Sequence, residues 1–119
     1  MGVIKTQSYV LPSGSVKGQT RNIGYLADGT AIAALLCDYT GTMASANVRL
    51  FYSTNDGDTW VEFEDFTAAN ATLLSMSIDS SDNIHCIYTE NDSIFKLHYR
   101  KLTVSGSLTW TLGAEEDIA

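Results

Sequence analysis

The chain has 119 residues, 45% hydrophobic and 18% charged, which suits one small globular domain and excludes a disordered segment. Fourteen acidic against seven basic residues give a net charge of −7, which repels phosphate backbones and anionic lipids, so we expect neither nucleic acid nor membrane as a partner. No apolar run approaches the roughly 20 residues that span a bilayer and the first residues do not form a signal peptide, so we expect a soluble chain.

Short segments rich in β-branched and aromatic residues follow one another along the chain, without helical periodicity between them. In chain order, the predicted strands cover 3–10, 23–26, 31–38, 48–53, 60–63, 73–79, 84–89, 94–102 and 109–112. Turn dipeptides separate most of them: Asp28-Gly29, Asp56-Gly57, Asp82-Asn83, Asn91-Asp92 and Ser105-Gly106. This pattern predicts an all-β protein of antiparallel strands joined by hairpins.

The sequence also repeats itself. Residues 53–60 align with 103–110 so that Trp60 and Trp110 are 50 positions apart, and residues 26–30 align with 80–84 at a separation of 54. Two related units of about fifty residues and four strands each are therefore predicted. We divide the single module 1–119 into an N-terminal strand and linker (1–20), a first unit (21–66) and a second unit (67–119).

The first copy of the repeat carries a specific motif, Ser53-x-Asn55-x-Gly57-x-Thr59-Trp60. It resembles the Asp box, or BNR repeat, of sialidases and other β-propellers, with Asn55 where Asp is commonest. The resemblance implies two four-stranded antiparallel propeller-like blades plus an N-terminal strand. The residue types also explain the loop: Gly57 can adopt positive φ, Asn55 can accept from backbone N–H groups of the turn, and the Trp60 ring can pack under the loop.

The second copy is degenerate, and we read both boxes as structural. It consists of Thr103, Ser105, Ser107, Thr109 and Trp110. Because Ser107 replaces the glycine and Ser105 replaces the Asp or Asn, the second turn should be weaker. We therefore expect truncation of Trp60 to cost more stability than truncation of Trp110.

One residue stands out as a candidate ligand contact. Arg21-Asn22-Ile23 precedes Asp28-Gly29-Thr30 much as an arginine segment precedes Asp-Gly-Thr in the opening blade of sialidases. The resemblance implies that Arg21 matches the first arginine of the family's carboxylate-binding triad. The Ile-Pro pair that usually follows this arginine is missing, and the chain has three arginines in all. We assign no catalytic residue and expect no cofactor.

Metal ligands are sparse in the sequence. Cys37 and Cys86 are flanked by apolar residues and are expected to be buried thiols, their disulfide state being open. His85 and His98 do not complete a four-ligand zinc site with usable spacing. Calcium at the Asp56 loop is the other alternative, but the loop lacks the distal Glu of an EF-hand. We therefore expect no metal site.

Three functional hypotheses follow. The first is a non-catalytic propeller module, structural or receptor- or glycan-binding, in a phage-like particle, since abundant Ser, Thr, Asn, Asp and Gly with low Lys resembles virion proteins. The second is a small oligomeric lectin with glycan sites at exposed Tyr25, Tyr39 or Tyr88. The third is the N-terminal part of a longer sialidase-like glycoside hydrolase. Because two blades leave lateral faces open, a homo-oligomer or larger assembly is expected.

Overall fold

The computed structural model describes residues 15–16, 22–38, 47–66, 71–90 and 96–118. Within these ranges the regular elements are all strands, and no helix able to cross a membrane is found there. The strands are β1 (Ser15–Val16), β2 (Ile23–Tyr25), β3 (Ala31–Asp38), β4 (Asn47–Ser53), β5 (Val61–Phe66), β6 (Ala71–Ile78), β7 (Ile84–Glu90), β8 (Leu97–Gly106), β9 (Thr109–Leu112) and β10 (Glu116–Asp117).

The strands form two antiparallel sheets, each a meander of four consecutive strands. In the first sheet β2, β3, β4 and β5 pair in that order, and β1 shares the outer edge of β3 with β2. In the second sheet β6, β7, β8 and β9 pair in order, and β10 shares the edge of β8 with β9. The predicted all-β antiparallel class is confirmed, and each sheet has one short strand more than the four expected.

Most predicted strands lie close to where they were expected. The largest difference is in β8, which ends at Gly106 and not at 102, so the turn predicted at Ser105-Gly106 was wrong and lies at 107–108. Strand β5 is also longer than expected. It runs to Phe66 although Glu62, Glu64 and Asp65 are poor strand formers. A bulge in the pairing with β4 lets both Glu62 and Asp65 reach Arg49, each with a carboxylate oxygen 2.9 Å from Nη1. The ion pairs hold this acidic segment in the sheet. The predicted strand at 3–10 and the turn at 91–92 lie outside the described residues.

The two sheets pack face to face around one core. Alternate residues of each strand point inward, as the period of two requires. The core cluster comprises Leu26, Ile32, Ala34, Leu36, Val48, Leu50 and Phe66 from the first sheet and its turn, and Ala71, Leu74, Met76, Ile84, Cys86, Tyr88 and Leu102 from the second. Cys86 is a free, buried thiol as expected, and burial raises its pKa to about 12. The side chain of Cys37 lies outside the described set.

Strand β6 makes the closest approach to the first sheet, and it does so at a glycine. A Cβ on Gly24 of β2 would lie 2.9 Å from Ile78 Cδ1 and 3.6 Å from Met76 Cε. Those distances are shorter than, or at the limit of, ordinary van der Waals contact, so only a residue without a side chain leaves room for the apolar side chains of β6.

The turns before β3 and β7 have the same hydrogen-bond pattern. In turn 26–30 the first residue donates to the carbonyl of the fifth (2.9 Å) and accepts from the N–H of the fourth (3.0 Å), and in turn 79–83 both distances are 3.0 Å. The fourth residue has positive φ in both, 91° at Gly29 and 64° at Asp82. The equivalent residues are therefore 53 positions apart, one fewer than the sequence alignment gave.

That single position decides how the sheets face each other. Superposing the two turns matches Ala31, the first residue of β3, with Ile84, the first residue of β7. Ile84 points into the shared core, whereas Ala31 lies on the opposite side of its strand from the core residue Ile32. The second sheet thus presents to the first the face that the first sheet turns away from it. Equivalent faces of the two sheets therefore point the same way, which we call same-direction stacking. In a sandwich whose halves were related by a two-fold axis, equivalent faces would point toward each other.

Candidate functional site

Several residues proposed from the sequence fall outside the site that the structure reveals. Arg21 and Tyr39 lie outside the described residues, so the ligand contact at Arg21 stays a prediction. Tyr25 is 67% exposed and Tyr88 only 1%. The assignment of Tyr88 as an exposed aromatic was wrong, because its ring lies in the core between the sheets.

The loop at residues 53–60 is closed by its own side chains, and we call it the Asp-box loop after the motif that its sequence resembles. Asn55 Oδ1 accepts from Ser53 Oγ (3.0 Å) and from the Thr59 N–H (2.9 Å), and Asn55 Nδ2 donates to Thr59 Oγ1 (2.8 Å). Ser53 Oγ also accepts from the Gly57 N–H at 2.9 Å. Gly57 has φ of 86° and lies against the Trp60 ring. Each polar member therefore closes the loop, and together these contacts account for its spacing.

The second loop is built differently. Strand β8 runs through Thr103 to Gly106, with a bulge at Ser105 in its pairing with β9, and the turn is formed by Ser107 and by Leu108 with φ of 52°. Thr109 Oγ1 donates to the carbonyl of Ser107 at 2.9 Å. The side-chain network centred on Asn55 has no counterpart here among the described residues, as expected from the degenerate sequence.

The two tryptophans consequently lie in different surroundings. The Trp110 ring packs against Phe63 of the first sheet, with ring centroids 4.6 Å apart, and against the core. Its Nε1 donates to the carbonyl of Asp82 at 3.0 Å. Trp60 contacts its own loop at Gly57 and is not part of the core cluster. This geometry reverses the expected ranking: Trp110 is the better-anchored residue.

Turn 79–83 joins the two sheets. Asp82 Oδ1 accepts from the N–H of Ala27 in the other turn at 2.9 Å, and Asn83 Oδ1 accepts from the N–H of Val104 at 3.0 Å. Asp79 Oδ1 accepts from two N–H groups within the turn. On the outer face, Asp79 Oδ2 lies 2.9 Å from His85 Nε2, and His85 Nδ1 lies 2.7 Å from the Tyr99 hydroxyl. These bonds lower the pKa of Asp79, chiefly through His85 and then through the Asn83 N–H.

A second polar cluster lies at the other end of the second sheet, around His98. The His98 side chain is 4% exposed, and three carboxylates surround its ring. Nε2 lies 3.5 Å from Glu90, and Nδ1 lies 3.5 Å from Glu115 and 2.9 Å from Asp117. Neither ring nitrogen makes a hydrogen bond of acceptable geometry. We call Glu90, His98, Glu115 and Asp117 the His98 cluster.

The electrostatics of the His98 cluster extend to its neighbours. Burial raises the pKa of Tyr88, and its hydroxyl, which donates to Glu115 Oε2, is held protonated by that bond as well. Lys96 Nζ, 3.1 Å from Asp117, lowers the pKa of that carboxyl, with a smaller contribution from His98. Arg100 stacks over the Phe66 ring nearby, at 5.1 Å from the centroid. The cluster is thus an acidic site, with the neutral Tyr88 hydroxyl as a hydrogen-bond donor and with two cations, Lys96 and Arg100, around it.

The sequence contained no visible signal for this cluster. Glu90 ends β7 and His98 is the second residue of β8; Glu115 precedes the short strand β10, which was not predicted, and Asp117 ends it. Pairing of β10 with β8 brings the carboxylates at 115 and 117 beside the imidazole. Glu90, His98 and Glu115 each offer a ligand atom within 4.8 Å of the others, so these three could hold a metal ion.

Comparison of the chain with protein-family models, with curated proteins and with solved structures found no match.

Proposed function

We propose that the chain is a non-catalytic module of two propeller-like blades that assembles head to tail with further copies of itself. In this role it serves as a structural or receptor-binding part of a larger particle, of the phage type that its composition resembles. The observation that carries the proposal is the same-direction stacking of the two sheets, because it leaves one outer face of each kind, and each of these faces has exposed apolar residues.

The outer face of the first sheet is buried at Phe51 and Ala31, which are 2% and 7% exposed, but its strand β2 carries an exposed apolar pair there. At the separation of 53 residues, Ile23 and Tyr25 correspond to Met76 and Ile78, which pack against Gly24. Ile23 is 58% and Tyr25 67% exposed. The side chains that join the second sheet to the first thus have exposed equivalents on the first sheet. We call Ile23 and Tyr25 the docking pair.

The uncovered face of the second sheet can receive this pair. Ser77 is the equivalent of Gly24, and Ile87, 40% exposed, is the equivalent of the core residue Ala34. Leu73, on the same face of β6, is also exposed. A docking pair from another copy would meet a small residue, Ser77, at the position that Gly24 has within the chain, with His85 opposite it and with Ile87 and Leu73 further along the same face. Such a heterologous contact closes into a ring or extends as a filament.

Solution mass measured by light scattering over a concentration series tests the proposal. We expect a multimer that I87K and Y25K each convert to a monomer, because each charge disables one of the two faces. Mixing the two variants should restore a heterodimer, since I87K keeps its docking pair and Y25K keeps its receiving face. The matched control V61K changes an exposed apolar residue on neither outer face and should leave the multimer intact.

A wild-type chain that stays monomeric at every concentration would refute the assembly. So would an I87K variant that keeps the mass of the wild type. Binding of the purified multimer on a glycan array tests the receptor- and glycan-binding part of the proposal.

A further inference from the structure

The His98 cluster has a feature that packing alone does not explain. The His98 side chain is almost fully buried, yet among the described residues its Nε2 has no hydrogen bond, and its Nδ1 has only one close contact, with Asp117 at 2.9 Å. Buried polar groups nearly always have a partner, because an unsatisfied group costs the free energy of its lost hydration. Here Nε2 faces the Glu90 carboxylate at 3.5 Å, which is too long for a good hydrogen bond.

That distance fits two ligands of one metal ion. With metal–ligand bonds of about 2.1 Å and tetrahedral angles, two ligand atoms lie about 3.4 Å apart. His98 Nε2 and Glu90 Oε2 are separated by 3.5 Å. Glu115 Oε1 lies 3.5 Å from the neighbouring Nδ1, and one ligand atom from each of the three residues lies within 4.8 Å of the other two. A buried imidazole whose Nε2 has no hydrogen bond within the described part of the chain distinguishes this cluster from carboxylates that merely lie near one another at the surface.

We propose that Glu90, His98 and Glu115 bind one divalent transition-metal ion of the zinc class, with His98 Nε2 and one oxygen of each glutamate as ligands. An imidazole with two carboxylates suits borderline ions such as Zn²⁺ and Co²⁺ and leaves one coordination position for water. Glu115 Oε1 is the oxygen free for the metal, because Oε2 accepts from Tyr88.

Neighbouring groups would orient these ligands. Asp117 Oδ1, 2.9 Å from Nδ1, is placed as the carboxylate that fixes the tautomer of a metal-bound histidine. Lys96, on the other oxygen of Asp117, keeps that carboxylate from competing for the ion. Asp117 and Tyr88 are therefore positioning residues of the site.

Metal titration tests this proposal. The full chain, purified without a histidine tag, is titrated with Zn²⁺ by calorimetry and with Co²⁺ by visible absorption. We expect one ion per chain and the d–d absorption of low-symmetry Co²⁺. H98Q and E90Q should lose detectable binding, and D117N should weaken it by on the order of 10- to 100-fold. E116Q removes an adjacent carboxylate and H85Q removes the other histidine; both should bind as the wild type does.

Absence of Zn²⁺ and Co²⁺ binding by the wild type would overturn the proposal, as would unchanged binding by H98Q. If H98Q fails to fold, judged by its far-UV circular dichroism, E115Q decides, because Glu115 is the most exposed of the three ligands. The monomeric I87K variant should bind metal like the wild type, so failure of the metal site and failure of the assembly can be told apart.

Discussion

The indole Nε1 of Trp110 donates a hydrogen bond to the main-chain carbonyl of Asp82, 28 residues earlier, at 3.0 Å. The same ring packs on Phe63 of the other sheet, so one side chain joins a turn, a hairpin and the sheet interface. We expect W110A to destabilise the protein by about 3 kcal/mol, at the low end for a large aromatic because the ring is only partly buried. W110F, which loses chiefly the hydrogen bond, should cost about 1 kcal/mol.

Urea unfolding of both variants beside W60A checks this ranking. W60A should cost less than W110A, because Trp60 lies outside the shared core. An equal or larger loss for W60A would mean that the Asp-box loop contributes more to stability than the sheet interface does.

The Asp-box loop depends on one amide. N55A should lower the free energy of unfolding by about 1–2 kcal/mol, since it removes acceptors for Ser53 and Thr59 at a partly exposed site. N55D keeps the acceptor oxygens, and the Thr59 hydroxyl can reverse its bond, so its cost should stay within about 0.5 kcal/mol. Thermal melts of the pair at neutral pH distinguish them; a similar loss for both would point to the Nδ2 donor as the essential group.

Close packing at Gly24 can be measured by a double-mutant cycle. G24A places a methyl group 2.9 Å from Ile78 Cδ1 and should lower the free energy of unfolding by about 1 kcal/mol. The penalty for overpacking is partly offset because alanine restricts the unfolded chain more than glycine does. I78V deletes that Cδ1 atom. The double variant should therefore be more stable than the sum of the two changes predicts, by roughly 1 kcal/mol. Strict additivity would show that β2 and β6 do not approach as closely as described.

Acid should weaken the turn that joins the sheets. The pKa of Asp79 is lowered in the folded protein, so its contribution to stability is fully present above its ordinary pKa of 3.8 and is lost as the pH falls below it. The stability difference between the wild type and D79N should therefore shrink as the pH falls from about 5 to 2. Urea denaturation at several pH values measures this stability difference. D56N, in the loop at residues 53–60, serves as the comparison. A difference that stayed constant with pH would contradict the assignment.

The hairpins could be predicted because their signals are local. Asp28-Gly29, Asp56-Gly57 and Asp82-Asn83 each contain a residue that adopts positive φ in the structure, and β3 and β9 begin and end as expected.

What the sequence could not predict depends on contacts between distant segments. Strand β10 has two residues and is held by pairing with β8, so neither it nor the His98 cluster beside it has a local pattern. The acidic β5 is held by Arg49. The direction of stacking depends on whether equivalent residues of the two units are 53 or 54 positions apart. The sequence alignment gave 54 and the turns give 53, and a shift of one residue exchanges the two faces of a strand.

Asp82 occupies, with φ of 64°, the place that Gly29 fills in the other turn. A left-handed conformation costs an L-residue about 1 kcal/mol, so the isolated hairpin would prefer glycine there. Its carboxylate, however, reaches the N–H of Ala27 in the neighbouring turn. Local and global preferences at this position therefore oppose each other: a D82G exchange should strengthen the excised β6–β7 peptide while weakening the intact protein. The residue at this position therefore stabilises the contact between the two turns and destabilises its own hairpin.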